Sequence, residues 1–175
     1  EFGGHEFKVV ANLPYYITTP IIMGLLEKKS RAREMVFMVQ KEVAERIVAV
    51  PGSKDYGVLS VMVQYYSVPH MVTVVPPSSF VPEPGVESAV VRLAVRQEPA
   101  IMVTDEKLFV SIVKAAFNQR RKTLLNALSN SQIVGADKSL MRKILSSLGI
   151  PENTRGEELS ISQFGMLSNT IKHFI

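Results

Sequence analysis

The sequence contains no cysteine, which excludes disulfide bonds and thiolate metal sites. No apolar run approaches the roughly 18 residues that span a bilayer. No charged segment precedes a short apolar stretch, as it would in a signal peptide. These absences predict a soluble protein of the cytoplasm. The three histidines share no ligand spacing, which predicts no metal site. No nucleophile elbow or phosphate-binding loop occurs.

The composition is that of a globular protein, and its charge is uneven. Of the 175 residues, 46% are hydrophobic and 21% are charged, with a net charge of +4. Residues 1–97 carry 10 basic and 9 acidic residues, whereas residues 98–175 carry 10 and 7. The second part also holds the cluster Arg120-Arg121-Lys122, with Lys114 nearly two helical turns earlier. A local basic patch of this kind is suited to contact with phosphate groups.

The first part of the chain alternates apolar β-branched runs with helical patterns. Strands are predicted at 7–11, 35–39, 70–75 and 88–95, and helices at 19–29, 41–50 and 58–66. This alternation predicts an α/β unit with a largely parallel sheet.

After about residue 97 the pattern becomes helical. Helices are predicted at about 105–117, 120–129, 138–148 and 160–174. Ser160 and Gln163 have the spacing of a capping box. Gly149 and Gly156 are predicted to lie at the ends of helices. We therefore divide the chain into an α/β domain at 1–98 and a small all-helical domain at 99–175.

The tetrapeptide Asn12-Leu13-Pro14-Tyr15 lies where a strand ends, which is where α/β sheets bind ligands. Its chemistry suits an exocyclic amine, a poor nucleophile whose lone pair is delocalised into the ring. The Asn12 side-chain oxygen and the carbonyl of Pro14 or Leu13 could accept hydrogen bonds from such an amine. Tyr15 offers a flat face for base stacking, worth roughly 1–3 kcal/mol. The tetrapeptide is equally consistent with a turn in which Asn satisfies backbone groups.

A second candidate site element is the proline-rich stretch at 76–84, which contains Phe80. A stiff loop can hold this ring at the edge of a pocket with little loss of entropy on binding. Phe80 could then face Tyr15 and enclose a base flipped out of its nucleic acid. Taken alone, Phe80 is better explained as a core anchor for the loop.

Five stretches occur in an order that identifies a family. They are 12–15 (NLPY), 40–46 (QKEVAER), 56–61 (YGVLSV), 80–93 (FVPEPGVESAVVRL) and 117–124 (FNQRRKTL). From about Phe7 to the C-terminus the chain resembles the ribosomal RNA adenine N6,N6-dimethyltransferases. It is most similar to the bacterial small-subunit (16S) enzymes linked to kasugamycin sensitivity.

The resemblance implies a partial Rossmann-like methyltransferase sheet, a helical C-terminal domain and S-adenosylmethionine as the methyl donor. It implies two adjacent adenines near the 3′ end of 16S ribosomal RNA as substrate, in the assembling small subunit. Asn12, with Pro14 beside it, matches the position between cofactor and target amine, and Tyr15 and Phe80 match the residues that flank the adenine. RNA contacts are expected at Lys114, Arg120, Arg121 and Lys122, which otherwise form a solvated helix face. Arg92 and Lys41 are expected to form surface ion pairs.

The chain departs from the family pattern in two places. Ala11 stands where many members have Gly, a small change. The family's cofactor-binding strand, Gly-rich loop and acidic residue have no counterpart, since Gly3-Gly4 is not such a loop. We therefore expect most of the cofactor site to be missing from this chain and the chain alone to be inactive. We also expect an open, apolar edge at the strand 7–11, masked by self-association or local disorder.

Two other functions fit the same residues. The chain could be a non-catalytic ribosome-assembly fragment that docks RNA through its basic helical domain. It could also belong with the large-subunit RNA methyltransferases of the macrolide-resistance type, which share the Asn-Leu-Pro-Tyr motif. The stretch 117–124 and the prolines at 82 and 84 favour the small-subunit enzymes.

Overall fold

The computed structural model describes residues 5–28, 31–131 and 137–174, so Gly3-Gly4 lies outside the described residues. The strands are β1 (Phe7–Asn12), β2 (Ala32–Gln40), β3 (Ser67–Val75) and β4 (Ser88–Val95). The helices are α1 (Thr18–Glu27), α2 (Lys41–Val48), α3 (Val58–Tyr66), α4 (Glu106–Asn118), α5 (Leu124–Ser129), α6 (Lys138–Ser147) and α7 (Ile161–Phe174). Short 3-10 turns lie at Tyr15–Ile17, Pro77–Ser79 and Gly156–Glu158. The α/β class with a helical C-terminal part is confirmed.

The sheet of the described residues has the strand order β1-β2-β4-β3. β1 pairs with β2 in parallel, but β4 is antiparallel to both β2 and β3. The expectation of a largely parallel sheet is therefore wrong for these strands. A parallel neighbour needs a crossover, usually a helix. The connection from β3 to β4 carries only the 3-10 turn Pro77–Ser79, so β4 returns antiparallel and inserts beside β2.

The core of the sheet lies on one face of its two central strands. Phe37 of β2 is in register with Val91 of β4, and period-two alternation places their neighbours on the same face. Helix α2 packs against β2, β3 and β4. Burial of each large apolar side chain here stabilises the fold by roughly 1.5–3 kcal/mol. The fully buried residues of this layer are Met35, Phe37, Val39, Ala44, Ile47, Ala89, Val91 and Leu93.

The chain divides into two compact units. The first comprises Glu1–Ala49 and Met62–Ala100, and the second comprises Val50–Val61 and Ile101–Ile175. The second unit is therefore discontinuous in sequence, because the segment Val50–Val61 joins the C-terminal helices.

The second unit is built around helix α4, which packs against α5 and α7. Phe109, Ile112 and Phe164 are fully buried there. An aromatic cluster links its segments: the Phe117 ring lies 5.9 Å from that of Tyr56 and 6.0 Å from that of Phe164.

The helix ends of this unit follow the sequence signals. The predicted capping box of α7 is confirmed, since the Ser160 hydroxyl accepts from Gln163 N and the Gln163 amide oxygen accepts from Ser160 N. Gly149, with φ of +66°, ends α6 as expected. In the described ranges, no helix is long and apolar enough to cross a membrane.

Candidate functional site

The loop after β1 is held to the sheet from its first residue. Asn12 ends β1, and the Leu13 N–H donates to the Met38 carbonyl of β2 at 3.1 Å. The Leu13 side chain is buried. Pro14 follows with φ of −59° and ψ of 131°, and the chain then enters the 3-10 turn Tyr15–Ile17. The tetrapeptide therefore projects from the carboxyl end of a parallel strand, as its sequence position predicted.

Two loops form an open cleft of about 340 Å³ within the first unit. The β1 loop supplies one set of lining residues and the proline-rich loop the other. The structure thus brings Tyr15 and Phe80 together, although they are far apart in sequence. The lining residues are Asn12, Leu13, Pro14, Tyr15, Phe80, Pro82 and Pro84.

Hydrogen bonds hold the proline-rich loop near both of its ends. At its start, the Phe80 N–H donates to the Pro77 carbonyl at 3.0 Å and closes the 3-10 turn. At its end, Glu87 accepts from Lys41 twice, through its carbonyl at 3.0 Å and through its carboxylate at 2.6 Å. The same carboxylate raises the pKa of Lys41. Phe80 is thus held on a loop that is tied to the start of α2.

The acceptor atoms of the tetrapeptide differ in availability. The Pro14 carbonyl accepts from the Ile17 N–H at 3.2 Å and from the Thr18 hydroxyl at 3.0 Å, so both of its lone pairs are engaged. In the described part of the chain, no hydrogen bond reaches the Leu13 carbonyl or the Asn12 side chain. Asn12 is also exposed. Of the two main-chain oxygens considered from the sequence, that of Leu13 is the one left open.

A hydrogen bond fixes the outer end of Tyr15. Its hydroxyl lies 2.7 Å from the Ser88 hydroxyl oxygen. Ser88 is fully buried at the first position of β4. Sequence reasoning assigned no role to Ser88; the only signal was a polar residue opening an otherwise apolar strand.

The predicted basic cluster lies on a turn of the second unit and not on a helix. Helix α4 ends at Asn118, and Thr123 caps α5 by accepting from the Asn126 N–H, so α5 begins at Leu124. The expectation that a helix starts at about residue 120 is therefore wrong. A residue that caps a helix has extended backbone, which separates the basic residues from the helix that follows.

The basic residues differ in their contacts. Arg120 donates to the Glu157 carboxylate at 3.1 Å and also to the Lys54 carbonyl, so it joins three segments of the second unit. Arg121 and Lys122 are exposed, and the side chain of neither has a hydrogen-bond or ion-pair partner among the described residues. Lys114 is exposed on α4. Arg121, Lys122 and Lys114 are thus open to an anionic partner, whereas Arg120 is already engaged.

The expected surface pairs are present in the first unit. Lys41 pairs with Glu87, and Arg92 pairs with Glu34. Glu34 also accepts from Lys8 at 2.9 Å. The hydrogen bond from Lys8, followed by that from Arg92, holds the pKa of Glu34 below its ordinary value.

A larger cavity, of about 570 Å³, lies at the opposite ends of the strands. Its lining includes Arg31, Arg33 and Arg96. Arg33 pairs with Glu6, and Arg96 donates to the Ser67 carbonyl at 3.3 Å. These contacts engage Arg33 and Arg96 within the fold, so we place the candidate site at the smaller cleft. In the ranges described, no three His, Cys, Asp or Glu side chains are grouped to hold a metal ion.

Comparison with known proteins decides the family. A model of the ribosomal RNA adenine dimethylase family matches residues 3–173. The chain belongs to this family. The family predicted from the sequence motifs is thereby confirmed.

Two of the curated relatives that this chain matches carry the same name. The "Ribosomal RNA small subunit methyltransferase A" of Alkaliphilus oremlandii is 53% identical over 171 residues, which cover 98% of this chain and 59% of the relative. The protein of that name in Bacillus cytotoxicus is 52% identical over 169 residues, 96% of this chain and 58% of the relative. The chain thus spans about three-fifths of the length of these curated relatives.

Solved structures support the dimethylase fold. A dimethyladenosine transferase from Plasmodium falciparum superposes with a TM-score of 0.82 at 24% identity, over 95% of this chain and 66% of that one. The 23S rRNA methyltransferase ErmE superposes with a TM-score of 0.69 at 22% identity, over 98% of this chain and 68% of that one. At these identities the likeness concerns the fold, and the Rossmann-like class is confirmed.

Proposed function

We propose that this chain supplies the target-base side of an S-adenosylmethionine-dependent dimethylation. The substrate is the pair of N6 amines of two adjacent adenines near the 3′ end of 16S ribosomal RNA, modified during small-subunit biogenesis. One observation carries the proposal: Tyr15 and Phe80 line a single cleft beside the open acceptors of Asn12 and Leu13.

The cleft receives a flat base that has left its stack. Tyr15 and Phe80 contact the faces of the adenine, and each stacking contact is worth roughly 1–3 kcal/mol. The Asn12 side-chain oxygen and the Leu13 carbonyl accept hydrogen bonds from the two N6 hydrogens in the first transfer, and one of them accepts from the single remaining hydrogen in the second. This grip holds the amine pyramidal, with its lone pair directed at the incoming methyl group. Transfer of the methyl group would leave S-adenosylhomocysteine, and the alkylated nitrogen would then release its proton to water. An amide therefore suffices where a strong base would otherwise be needed.

Asn12 also fits the cofactor side of the site. Its exposed side chain stands at the carboxyl end of β1 without a hydrogen-bond partner in the described ranges, and Pro14 lines the same cleft. S-adenosylmethionine would supply an electrophilic methyl group there. We propose Asn12 and Pro14 as the part of the cofactor contact that this chain contributes.

The RNA contact belongs to the second unit. Arg121, Lys122 and Lys114 are exposed cations suited to phosphate groups, and Arg120 holds the turn that carries two of them. The partners are 16S ribosomal RNA and the assembling small subunit, which place the protein in the cytoplasm. A separate RNA-docking role is the second candidate function, because these cations need no chemistry at the cleft to bind.

The β1 edge offers a further contact. β1 is an outer strand of the sheet of the described residues, and its Val10 is 78% exposed. We propose that this edge pairs with another copy of the chain, because unpaired strand edges template association. Light scattering should show dimers or larger species, and Val10→Lys should reduce them. A monomer at high concentration would contradict this.

The 175-residue chain alone is expected to bind S-adenosylmethionine poorly and to transfer no measurable methyl groups. Methyl transfer to small subunits that lack the modification measures this, with the full-length Alkaliphilus relative as positive control. Robust turnover by the chain alone would overturn the expectation.

The site itself is tested by grafting this chain into the Alkaliphilus relative in place of the matching 171-residue segment. Asn12→Ala should lower methyl transfer about 100-fold or more, as loss of one preorganised polar group does elsewhere. Small-subunit binding should persist. Phe80→Ala should cost about 5- to 100-fold through lost stacking. Phe174→Ala, which removes an exposed ring on α7, is the matched control. Unchanged activity in both site variants would refute the proposal.

A further inference from the structure

Ser88 is a buried residue of the sheet that contacts a residue lining the cleft. It opens β4, the strand that lies between β2 and β3, and it is in register with Gln40 on one side and Val75 on the other. The residue before it, Glu87, accepts from the Lys41 N–H at 3.0 Å. Its side chain is fully buried. Backbone pairing on both sides fixes its main chain and Cβ, and full burial restricts the rotation of its hydroxyl.

Tyr15, by contrast, sits on a 3-10 turn and is only partly buried. Its side chain has several staggered rotamers available, which place the ring differently. The 2.7 Å hydrogen bond to Ser88 favours the observed rotamer, in which Tyr15 lines the cleft, before any base arrives. A ring that is already placed loses less entropy on stacking.

We propose that Ser88 is a positioning residue that holds the Tyr15 ring in its base-stacking orientation. This rests on the proposed function of the cleft. Ser88 does not line the cleft, so it acts through the Tyr15 hydroxyl and not by contact with the base. Removal of either hydroxyl should weaken base binding by about 3- to 10-fold, the range of one net hydrogen bond.

A double-mutant cycle on the 175-residue chain tests this. The probe is a short single-stranded RNA with 2-aminopurine at one position, whose fluorescence changes when the base stacks on an aromatic ring. Tyr15→Phe and Ser88→Ala should each weaken binding about 3- to 10-fold, and the double variant should be no weaker than either. Multiplied effects in the double variant would overturn the inference, as would unchanged binding in Ser88→Ala.

Ser67→Ala is the matched control, because Ser67 is also a fully buried serine at a strand start and donates to the Val63 carbonyl at 2.8 Å. It should leave base binding unchanged even if it lowers stability. Fluorine NMR of 3-fluorotyrosine-labelled chain adds a readout independent of RNA. Ser88→Ala should shift and broaden the Tyr15 resonance, and a resonance that stays unchanged would also overturn the inference.

The same set of variants distinguishes failure of the base-binding proposal from failure of the positioning role of Ser88. If Tyr15→Ala and Phe80→Ala leave probe binding unchanged, the base-binding proposal fails and the positioning role fails with it. If those two weaken binding but Ser88→Ala does not, the base-binding cleft stands and the positioning role alone is refuted.

Discussion

Replacement of Tyr56 by Phe should destabilise the second unit at neutral pH and lose that effect in alkali. The Tyr56 side chain is 1% exposed, and its hydroxyl donates to the Leu159 carbonyl at 3.0 Å. Tyr56→Phe keeps the ring contact with Phe117 but leaves a buried acceptor without its donor. Such a loss costs about 1–3 kcal/mol.

The pH dependence follows from the titration of the same hydroxyl. Burial raises the pKa of Tyr56 from 10.0 to about 12. A raised pKa in the folded state means that the hydroxyl's contribution is complete below pH 10 and is lost as the pH rises toward 12. Each pH unit in that window removes about 1.4 kcal/mol. The advantage of the wild-type chain over Tyr56→Phe should therefore shrink by roughly 2 kcal/mol between pH 10 and pH 12.

Urea unfolding followed by circular dichroism at pH 7, 9, 10.5 and 11.5 measures this difference. Other groups titrate in both proteins, so their effects cancel when the two free energies of unfolding are subtracted. A difference that stays constant from pH 7 to pH 11.5 would refute the titration argument. A Phe variant as stable as wild type at pH 7 would refute the hydrogen-bond argument.

Three further predictions concern the second unit. Gly156→Ala should cost roughly 1–3 kcal/mol in unfolding free energy, because the added Cβ would lie 2.8 Å from a carbonyl oxygen of α4; an unchanged urea midpoint would contradict this. Arg121→Ala should reduce the slope of log affinity against log salt concentration for RNA binding by the equivalent of about one phosphate contact. Arg120→Ala should mainly lower the melting temperature. Equal slopes for the two variants would argue against an RNA contact at Arg121 and a structural role for Arg120. The hydrogen bond from the Leu108 N–H, followed by that from Lys172, holds the pKa of Asp105 below its ordinary value. The contribution of the Asp105 carboxylate to stability is therefore present above pH 3.8 and is lost as the pH falls through the lowered pKa. Relative to Asp105→Asn, the wild-type free energy of unfolding should therefore fall only at acid pH.

The features that could be predicted from the sequence are those set by near neighbours. Apolar runs with β-branched residues predicted all four strands of the described sheet, and β4 was predicted with its observed bounds, Ser88–Val95. The capping signals of Ser160 and Gln163 act over one helical turn and were predicted correctly. The cleft was predictable because the tetrapeptide follows a strand and Phe80 follows a stiff proline pair.

The features that could not be predicted depend on residues distant in sequence. The antiparallel insertion of β4 depends on which strands pair, and an apolar run does not encode its pairing partner. The role of Arg120 depends on Glu157 and Lys54, which the fold brings to it. The proposed role of Ser88 depends on its hydrogen bond to Tyr15. A serine in a buried strand does not indicate such a role in the sequence, because its partner is known only from the fold.

The discontinuous make-up of the second unit limits how the protein can be dissected. A cut near residue 98 would leave the C-terminal helices without Val50–Val61, and so without the Tyr56 ring that Phe117 packs against. Hybrid proteins that exchange C-terminal regions between dimethylases would have to exchange that earlier segment as well. Natural variation in the two stretches should be coupled, because a change in one alters the surface to which the other must fit.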